Sequence, residues 1–200
     1  MAFQEVCTVL PNEPDTQMKN EFTIYTDGSS RGNPGPGGWA AIIMQNSKNK
    51  MQNGGTGNEA QSSKLKVQNE GTGTESEGNA IREIGGRDEY TTNNRMELKA
   101  AIEGLKSVPA GSKVNLVADS EYVVKGMTLW IKGWQAKGWR TAAKKPVLNQ
   151  DLWQELLKAA EGKIIEWKVV LGHSGEEHNE RADAIATSFA DNMPIKLRGK

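Results

Sequence analysis

The sequence has little of several things, and each shortage excludes a class of protein. Cys7 is the only cysteine in 200 residues, which excludes an internal disulfide and is typical of a reducing compartment. No apolar run approaches the ~18 residues that a membrane-spanning helix needs, and the first 20 residues lack the apolar core of a signal peptide. We therefore expect a cytoplasmic protein with no membrane segment.

Net charge is also absent, because 25 basic residues balance 25 acidic ones. A surface for nucleic acid would therefore require local segregation of charge. Residues 122–150, the basic segment, contain six lysines or arginines and no acidic residue, with Trp130, Trp134 and Trp139 among them. Basic and aromatic residues in this combination favour binding to a sugar-phosphate backbone. Tryptophans at helical spacing are equally typical of a packed core, and a lysine run of a solvated face.

Apolar residues are scarce in two stretches. Residues 1–20 have no clear period and are interpreted as a flexible N-terminal tail. Residues 46–79 are rich in Asn, Gly, Ser, Gln and Thr, so they cannot bury enough apolar surface to offset chain entropy. They predict a flexible insertion loop between two strands, with a folded lid or partner-binding segment as the alternative. Residues 21–192 then form one domain, followed by a C-terminal tail at 193–200.

Strand and helix patterns alternate between these stretches. Short β-branched or apolar runs predict strands at residues 24–29, 39–44, 80–84, 114–118 and 164–171. Apolar positions three and four apart predict helices after residue 94, over 120–135, over 150–160 and after residue 179. A β-meander followed by alternating strands and helices predicts an α/β fold, with one mixed sheet and helices packed against it.

Four carboxylates stand where strands end or helices begin. Asp27 and Asp119 each close a strand, whereas Glu97 lies in the first turn of one helix and Asp183 lies early in another. In an open α/β sheet such positions gather along one rim, where unpaired carboxylates would repel one another. A hard cation such as Mg²⁺ relieves that repulsion. Two such ions ~3.5–4 Å apart can clamp the attacking and leaving oxygens of a phosphodiester.

Each of these residues also has a purely structural interpretation. Glu97 stands three residues after Asn94, as the returning half of a capping box would. Asp119 fits the cap of the helix that follows it, and Asp183 fits a helix N-terminus favoured by the dipole. His173, in a polar loop, is either a surface residue or a proton carrier beside a metal. Spacing alone leaves both interpretations open.

A series of motifs, taken in order, makes the sequence resemble the ribonuclease H family, in particular its type 1 branch (bacterial ribonuclease HI). The motifs are Tyr25–Ser29 with Gly32–Gly38, Thr91–Leu98, Asp119–Ser120 with Tyr122–Val123, Trp130 through Asn149, and Gly172–His173 with Asn179–Asp183. The resemblance covers residues 22–192 apart from the insertion. It implies a five-stranded mixed sheet flanked by helices. It also implies hydrolysis of the RNA strand of RNA–DNA hybrids, which leaves 3′-hydroxyl and 5′-phosphate ends.

The resemblance further implies roles for individual residues. The expected catalytic and substrate-binding residues are Asp27, Glu97, Asp119 and Asp183 as ligands of two Mg²⁺ ions, with Mn²⁺ as a substitute; His173 for proton transfer; Asn33, Asn93 and Asn94 on the RNA strand; Thr92 and Asn149 at a DNA phosphate; and Trp130, Trp134, Lys144 and Lys145 on the basic segment. The expected protein is a cytoplasmic monomer that binds a hybrid and no membrane.

Three features depart from the family's pattern. Glu121 stands where a neutral residue is common, which weakens one RNA contact. Tyr90 stands where an arginine often supports the DNA-phosphate pocket, and the insertion has no usual counterpart. Two other functions compete with hydrolysis of hybrids. A non-catalytic hybrid-binding module would be expected to lack at least one of the four carboxylates, and an integrase-like transferase would need a further domain that we do not expect in this chain.

Overall fold

A computed structural model of the chain describes residues 20–46, 80–171 and 175–199. Its centre is a five-stranded sheet in the order β3-β2-β1-β4-β5. The strands are β1 (Glu21–Ser30), β2 (Gly35–Asn46), β3 (Ile81–Thr91), β4 (Lys113–Ala118) and β5 (Ile164–Val169). The first three pair antiparallel, and β1, β4 and β5 run parallel. The predicted α/β fold with a mixed sheet is thereby confirmed.

Helices pack against this sheet. They are α1 (Asn93–Lys106), α2 (Glu121–Lys125), a π-helical turn (Gly126–Trp130), α3 (Ile131–Ala136), α4 (Gln150–Ala160) and α5 (Glu177–Ala190). Apart from Asn20 and Asn46, the predicted N-terminal tail and insertion lie outside the described residues. Across the described ranges, no helix combines the length and the apolar character needed to cross a bilayer.

Strand β2 shows why the sheet has a core on each face. Successive side chains of a strand point to opposite faces. Ala41 and Ile43 join the larger core with α1 and α4, whereas Ala40 and Ile42 join the smaller core with α5. The fully buried Trp153 of α4 belongs to the larger core. Because both faces of β2 are covered, its sequence is a continuous apolar run rather than an alternating one.

Two glycines allow helices to approach the sheet closely. A Cβ atom on Gly28 of β1 would overlap the backbone nitrogen of Glu97 in α1. A Cβ atom on Gly38 of β2 would overlap the carbonyl oxygen of Ala186 in α5. Only glycine therefore fits at either position. These two approaches determine how near α1 and α5 lie to the ends of the strands.

The prediction that the third strand ends at residue 84 is wrong. Gly85 and Gly86 continue the pairing with β2, opposite Ala40 and Trp39, and the strand runs on to Thr91. The two glycines leave room for neighbouring rings, since a Cβ atom on Gly86 would meet the Trp39 indole. A glycine pair that reads as a turn in the sequence is here a site of close packing.

Two predicted helices and the end of the last predicted strand also differ from the structure. The helix predicted over 120–135 is interrupted by the π-helical turn, where Gly126 packs directly on the Trp153 ring. The last helix begins at Glu177 rather than after residue 179, because the Glu176 side chain caps it by accepting from the Asn179 N–H at 2.7 Å. The last strand ends at Val169, two residues before the predicted end.

The residues after α5 return to the sheet. The Arg198 carbonyl accepts from the Glu83 N–H at 3.0 Å, and the Arg198 N–H donates to the Glu83 carboxylate at 2.9 Å. Ile195 and Leu197 pack against the smaller core. This segment therefore lies along part of the β3 edge, which would otherwise expose unpaired backbone groups.

Candidate active site

Three of the four predicted carboxylates meet at the end of β1. Asp119 directly follows β4, as predicted, but Asp27 does not close its strand, because β1 continues to Ser30. Because β1 and β4 are parallel, with Thr26 opposite Ala118, these two residues lie side by side at the carboxyl-terminal end of β4. Glu97 joins them from the second turn of α1, rather than from the predicted first turn. Carboxylate oxygens of the three residues, the carboxylate cluster, lie within 4.8 Å of one another.

Asp183 stands beside this cluster on α5. Its negative charge contributes to the raised pKa of Asp27. The Thr187 hydroxyl lies 3.3 Å from the Asp183 carboxylate and 3.4 Å from the Ser29 hydroxyl of β1. Asp183 is the seventh residue of its helix, beyond the first turn in which the helix dipole acts. The dipole interpretation of Asp183 therefore does not hold.

Burial and repulsion shape the protonation of the cluster. Burial, with smaller contributions from the charges of Asp119 and Asp183, raises the pKa of Asp27 to about 8. Burial also raises the pKa of Glu97 well above its ordinary value; Asp27 and Asp119 add to this, while hydrogen bonds from the Gly28 backbone and the Asn93 side chain oppose it. Among the described residues, no ion pair reaches the cluster.

The donor set of the cluster fits a divalent metal ion. Oε2 of Glu97 is buried and has no hydrogen-bond partner. A cation would satisfy that oxygen and offset the repulsion that raises both pKa values. Carboxylate oxygens are the ligands that hard cations such as Mg²⁺ prefer. The structure thus brings together a group of three acids that is consistent with divalent metal binding.

The capping interpretations of Glu97 and Asp119 do not hold. Thr92 is the N-cap of α1, so Asn94 lies inside the helix and forms no capping box with Glu97. Instead, Oε1 of Glu97 accepts from the Asn93 side chain at 3.3 Å. Ser120, rather than Asp119, occupies the N-cap of α2.

Two of the asparagines predicted to contact RNA lie together. Oδ1 of Asn33, in the loop between β1 and β2, accepts from the Asn93 N–H at 3.3 Å. Asn93 in turn donates to Glu97, so hydrogen bonds connect this loop to the carboxylate cluster. Asn33, Asn93 and Asn94 are all exposed. The link from Asn93 to Glu97 was missed from the sequence, although their spacing of four residues in a helix places them on one face.

The two residues predicted at a DNA phosphate have different local roles. Thr92 caps α1 without a side-chain cap hydrogen bond. Asn149 precedes α4 with a left-handed φ of 57°. Its Nδ2 donates to the Tyr122 hydroxyl at 3.2 Å, and its Oδ1 accepts from Arg95 at 3.4 Å. Arg95 and Tyr122 belong to the motifs noted above, but their contacts with Asn149 join distant parts of the sequence and were not predicted.

The basic segment combines core packing with an exposed edge. The Trp130 and Trp134 rings lie 5.6 Å apart, and Trp134 lies 5.4 Å from the buried Trp153. Trp134 is half-buried against the larger core, whereas Trp130 is 36% exposed. The core interpretation therefore holds for Trp134, whereas the nucleic-acid interpretation stays a prediction for the exposed edge of Trp130.

Lys144 and Lys145 are exposed in a tight turn of the same segment. The Thr141 N–H donates to the Lys145 carbonyl at 2.8 Å, and the Lys144 N–H donates to the Thr141 carbonyl at 2.9 Å. Arg140 donates to the Lys144 carbonyl at 2.8 Å. Lys144 has a φ of 61°, so the turn holds its backbone in the left-handed region. The turn presents both ammonium groups to solvent.

The remaining predicted residues are placed as follows. His173 lies outside the described residues, and its role stays a prediction. Glu121 is exposed and pairs with Lys125 at 2.6 Å. Tyr90 is 79% exposed near the end of β3. One buried carboxylate was missed from the sequence: Glu83 of β3, fully buried, accepts from Arg181 of α5 at 3.0 and 2.8 Å.

Known proteins are similar to this chain in fold and in sequence. The crystal structure of LC9-RNase H1, a type 1 RNase H with the type 2 active-site motif, is similar with a TM-score of 0.67 and 28% identity, covering 91% of this chain and 78% of that one. A model of the RNase H family matches residues 19–71 and 62–191. Ribonuclease H of Thermosynechococcus vestitus is 44% identical over 184 residues, 90% of this chain and 96% of the relative. That of Caulobacter sp. is 45% identical over 169 residues, 84% and 89%. The chain belongs to the ribonuclease H family.

Proposed function

We propose that this protein hydrolyses the RNA strand of RNA–DNA hybrids in a metal-dependent reaction that leaves 3′-hydroxyl and 5′-phosphate ends. The observation that carries the proposal is the carboxylate cluster, whose oxygens lie within 4.8 Å of one another at one edge of the sheet. Family membership supports the substrate class, because relatives that match most of the chain are ribonucleases H. A more distant chain of the same fold, LC11-RNase H1, was crystallised with an RNA/DNA hybrid.

Asp27, Glu97, Asp119 and Asp183 are the proposed ligands of two Mg²⁺ ions, with Mn²⁺ as a substitute. Magnesium prefers oxygen ligands and typically takes some of them from the phosphates of the substrate. When bound, such a pair of ions supplies positive charge to the attacking and leaving oxygens of the phosphodiester. The unpartnered Oε2 of Glu97 and the raised pKa of Asp27 support this assignment.

The asparagines near the cluster are proposed to distinguish RNA from DNA. Asn93 orients Glu97 by donating to its carboxylate and is itself linked to Asn33. Together with Asn94, these amides offer both donors and acceptors to the 2′-hydroxyl, which also donates and accepts. Contacts to sugar and backbone carry little sequence information, so we expect cleavage to be nearly independent of sequence.

The DNA strand is proposed to lie along the basic segment. Thr92 and Asn149 would contact one phosphate, and the Trp130 and Trp134 rings would lie against sugars or bases. Lys144 and Lys145 would neutralise further phosphates, because their ammonium groups are exposed. His173 is proposed to transfer a proton, since histidine titrates near neutral pH.

We also propose that residues 21–192 form the catalytic domain and that the protein acts as a monomer in the cytoplasm. The single cysteine is consistent with a reducing compartment. Size-exclusion chromatography with light scattering tests the monomer directly. A mass near twice 21.8 kDa would contradict it.

The decisive experiment is incubation with labelled hybrid, duplex DNA and duplex RNA, with and without Mg²⁺. We expect cleavage of the RNA strand of the hybrid alone, and only with the metal. The Asp119→Asn variant should lose cleavage but retain hybrid binding. Glu155→Gln, a matched loss of one exposed carboxylate on α4, should cleave normally. Normal cleavage by Asp119→Asn, or equal cleavage of duplex DNA, would overturn the proposal.

A further inference from the structure

Arg95 of α1 and Asp151 of α4 form a two-pronged ion pair. Nη1 donates to Oδ1 at 3.0 Å, and Nη2 donates to Oδ2 at 2.7 Å. The same Nη1 lies 3.4 Å from Oδ1 of Asn149. One guanidinium group therefore connects α1, α4 and the residue that immediately precedes α4.

Asn149 is held in a conformation that most residues avoid. Its φ of 57° and ψ of 31° place it in the left-handed region, and as N-cap of α4 its side chain makes no cap hydrogen bond. Its Oδ1 accepts from Arg95, and one hydrogen of its Nδ2 is donated to Tyr122. An amide group carries two N–H hydrogens, so one remains for an acceptor such as a phosphate oxygen.

The other end of Arg95 is tied to Thr92. The Arg95 backbone N–H donates to the Thr92 carbonyl at 3.0 Å, in the first turn of α1. Arg95 therefore contacts both residues of the proposed phosphate pocket, Thr92 through its backbone and Asn149 through its side chain. Arg95 is thereby a direct link between those two residues.

We propose that the Arg95–Asp151 pair is a positioning device, which holds the Asn149 amide relative to Thr92 so that both meet one phosphate of the DNA strand. The inference rests on the proposed function and deepens it. Asp151 already neutralises Arg95, so the pair adds little net charge to the pocket. Tyr90, which is close to Thr92 in the sequence and 79% exposed, adds no charge to the pocket. The pocket then depends on neutral donors, whose strength depends on accurate placement.

Two roles for Arg95 predict opposite results. If the guanidinium attracts phosphate by its charge, Asp151→Asn should strengthen hybrid binding, and Arg95→Lys should change little. If it positions Asn149, both variants should weaken binding, because neither retains the two-pronged pair that fixes the guanidinium.

The experiment measures kcat and KM for hybrid cleavage, and their salt dependence, in both variants. We expect KM to rise about fivefold while kcat stays within about twofold. The slope of log KM against log salt should not change, because no cation that contacts phosphate is lost. In an Asn149→Ala background, Arg95→Lys should raise KM no further, since both changes remove the same contact.

Lys106 provides a matched control. It forms another α1–α4 ion pair, with Glu155 at 2.7 Å, but lies at the opposite end of α1 from Thr92. Lys106→Ala should leave KM unchanged. Thermal melting checks that each variant is folded. If Arg95→Lys fails to fold, Asp151→Asn still tests the inference, because it alters an exposed side chain.

The positioning role would be overturned if Asp151→Asn left KM unchanged, lowered KM or altered the salt slope. It would also be overturned if Lys106→Ala raised KM equally. Additive effects of Arg95→Lys and Asn149→Ala would also overturn it. The unaltered protein is assayed first with Mg²⁺ and hybrid. Failure there would overturn the proposed function itself, whereas normal cleavage with insensitive variants would overturn this inference alone.

Discussion

Glu83 and the carboxylate cluster are both buried acidic regions, yet the protein treats them differently. Glu83 is surrounded by its own cations, with Arg181 at 2.8 Å and Arg198 at 3.6 Å, and the Arg181 hydrogen bonds hold its pKa below the ordinary value. In the cluster, burial together with the charges of Asp119 and Asp183 instead raises the pKa of Asp27 to about 8. Where a carboxylate serves folding, the chain supplies the positive charge. Where it serves the proposed chemistry, a bound cation has to supply the positive charge.

The difference has an energetic meaning. A buried ion pair with its hydrogen bonds satisfied is tolerated in the folded state, whereas buried like charges oppose folding. The cluster therefore destabilises the metal-free protein in exchange for a site that attracts cations, as is common where activity and stability conflict. Both regions bear on α5, because Arg181 lies two residues before Asp183.

The largest effect is expected for Asp27→Asn. Loss of a proposed metal ligand should lower kcat on hybrid by about a thousandfold or more, because the proposed ions would stabilise charge in the transition state. The same change should raise the melting temperature of the metal-free protein at pH 8, because it removes a buried like charge. Activity is measured with saturating Mg²⁺ and melting in a chelator. A variant that lost both activity and metal-free stability would contradict the claim that the cluster, unlike Glu83, opposes folding.

The next largest effect should come from Arg181→Met. It leaves Glu83 buried without its main cation, which typically costs about 3–5 kcal/mol. The double variant with Glu83→Gln should recover part of that loss, because no unpaired charge remains. Urea unfolding measures both, with Lys106→Ala as an exposed ion-pair control expected within about 1 kcal/mol. Equal losses from Arg181→Met and the control would show that the Glu83 pair does not differ from a surface pair.

The two regions should also respond to pH with opposite signs. A carboxyl whose pKa is raised to about 8 keeps its proton in the folded state, while the unfolded chain releases it near pH 4, so the cluster weakens folding as pH rises between these values. Glu83, with a lowered pKa, contributes stability at neutral pH that is lost as pH falls below its ordinary value.

Urea unfolding in a chelator across this pH range measures the first effect. Asp27→Asn should flatten the loss of stability on the alkaline side, and Glu83→Gln should flatten the loss on the acid side. Added Mg²⁺ should stabilise the unaltered protein more at pH 8 than at pH 5, because the metal competes with protons. Equal stabilisation at both values would contradict the assignment.

The smallest structural effect is expected for exposed charges. Changing both Lys144 and Lys145 to alanine should leave the melting temperature nearly unchanged, since their ammonium groups face solvent. KM for hybrid should rise severalfold, and the slope of log KM against log salt should fall by about 2, because the two proposed phosphate contacts would be lost. KM measured at several salt concentrations tests this. An unchanged slope would count against these lysines as the main grip on the substrate.

What the sequence predicted depended on local patterns. Asp27 and Asp119 were recognisable because each ends a short apolar run, and parallel strands place such ends at one edge. The helix of Glu97 was recognisable from its apolar stripe. The same patterns give the mixed sheet and the order of its elements.

What it missed depended on contacts between distant residues. Glu83 and Arg181 are 98 positions apart, and no local period links them. The extension of β3 through Gly85 and Gly86 was hidden because a glycine pair is also typical of a turn. The π-helical turn begins at Gly126, which packs on Trp153, and this contact between residues 27 positions apart has no local pattern.

The absence of a side chain at Gly28 has a practical consequence for protein engineering. Transplanting the acidic residues onto another scaffold would fail unless this glycine went with them, because any bulk there pushes the first helix outward and carries one acid away from its neighbours. A saturation mutagenesis screen should accordingly find the position as intolerant as the acids themselves.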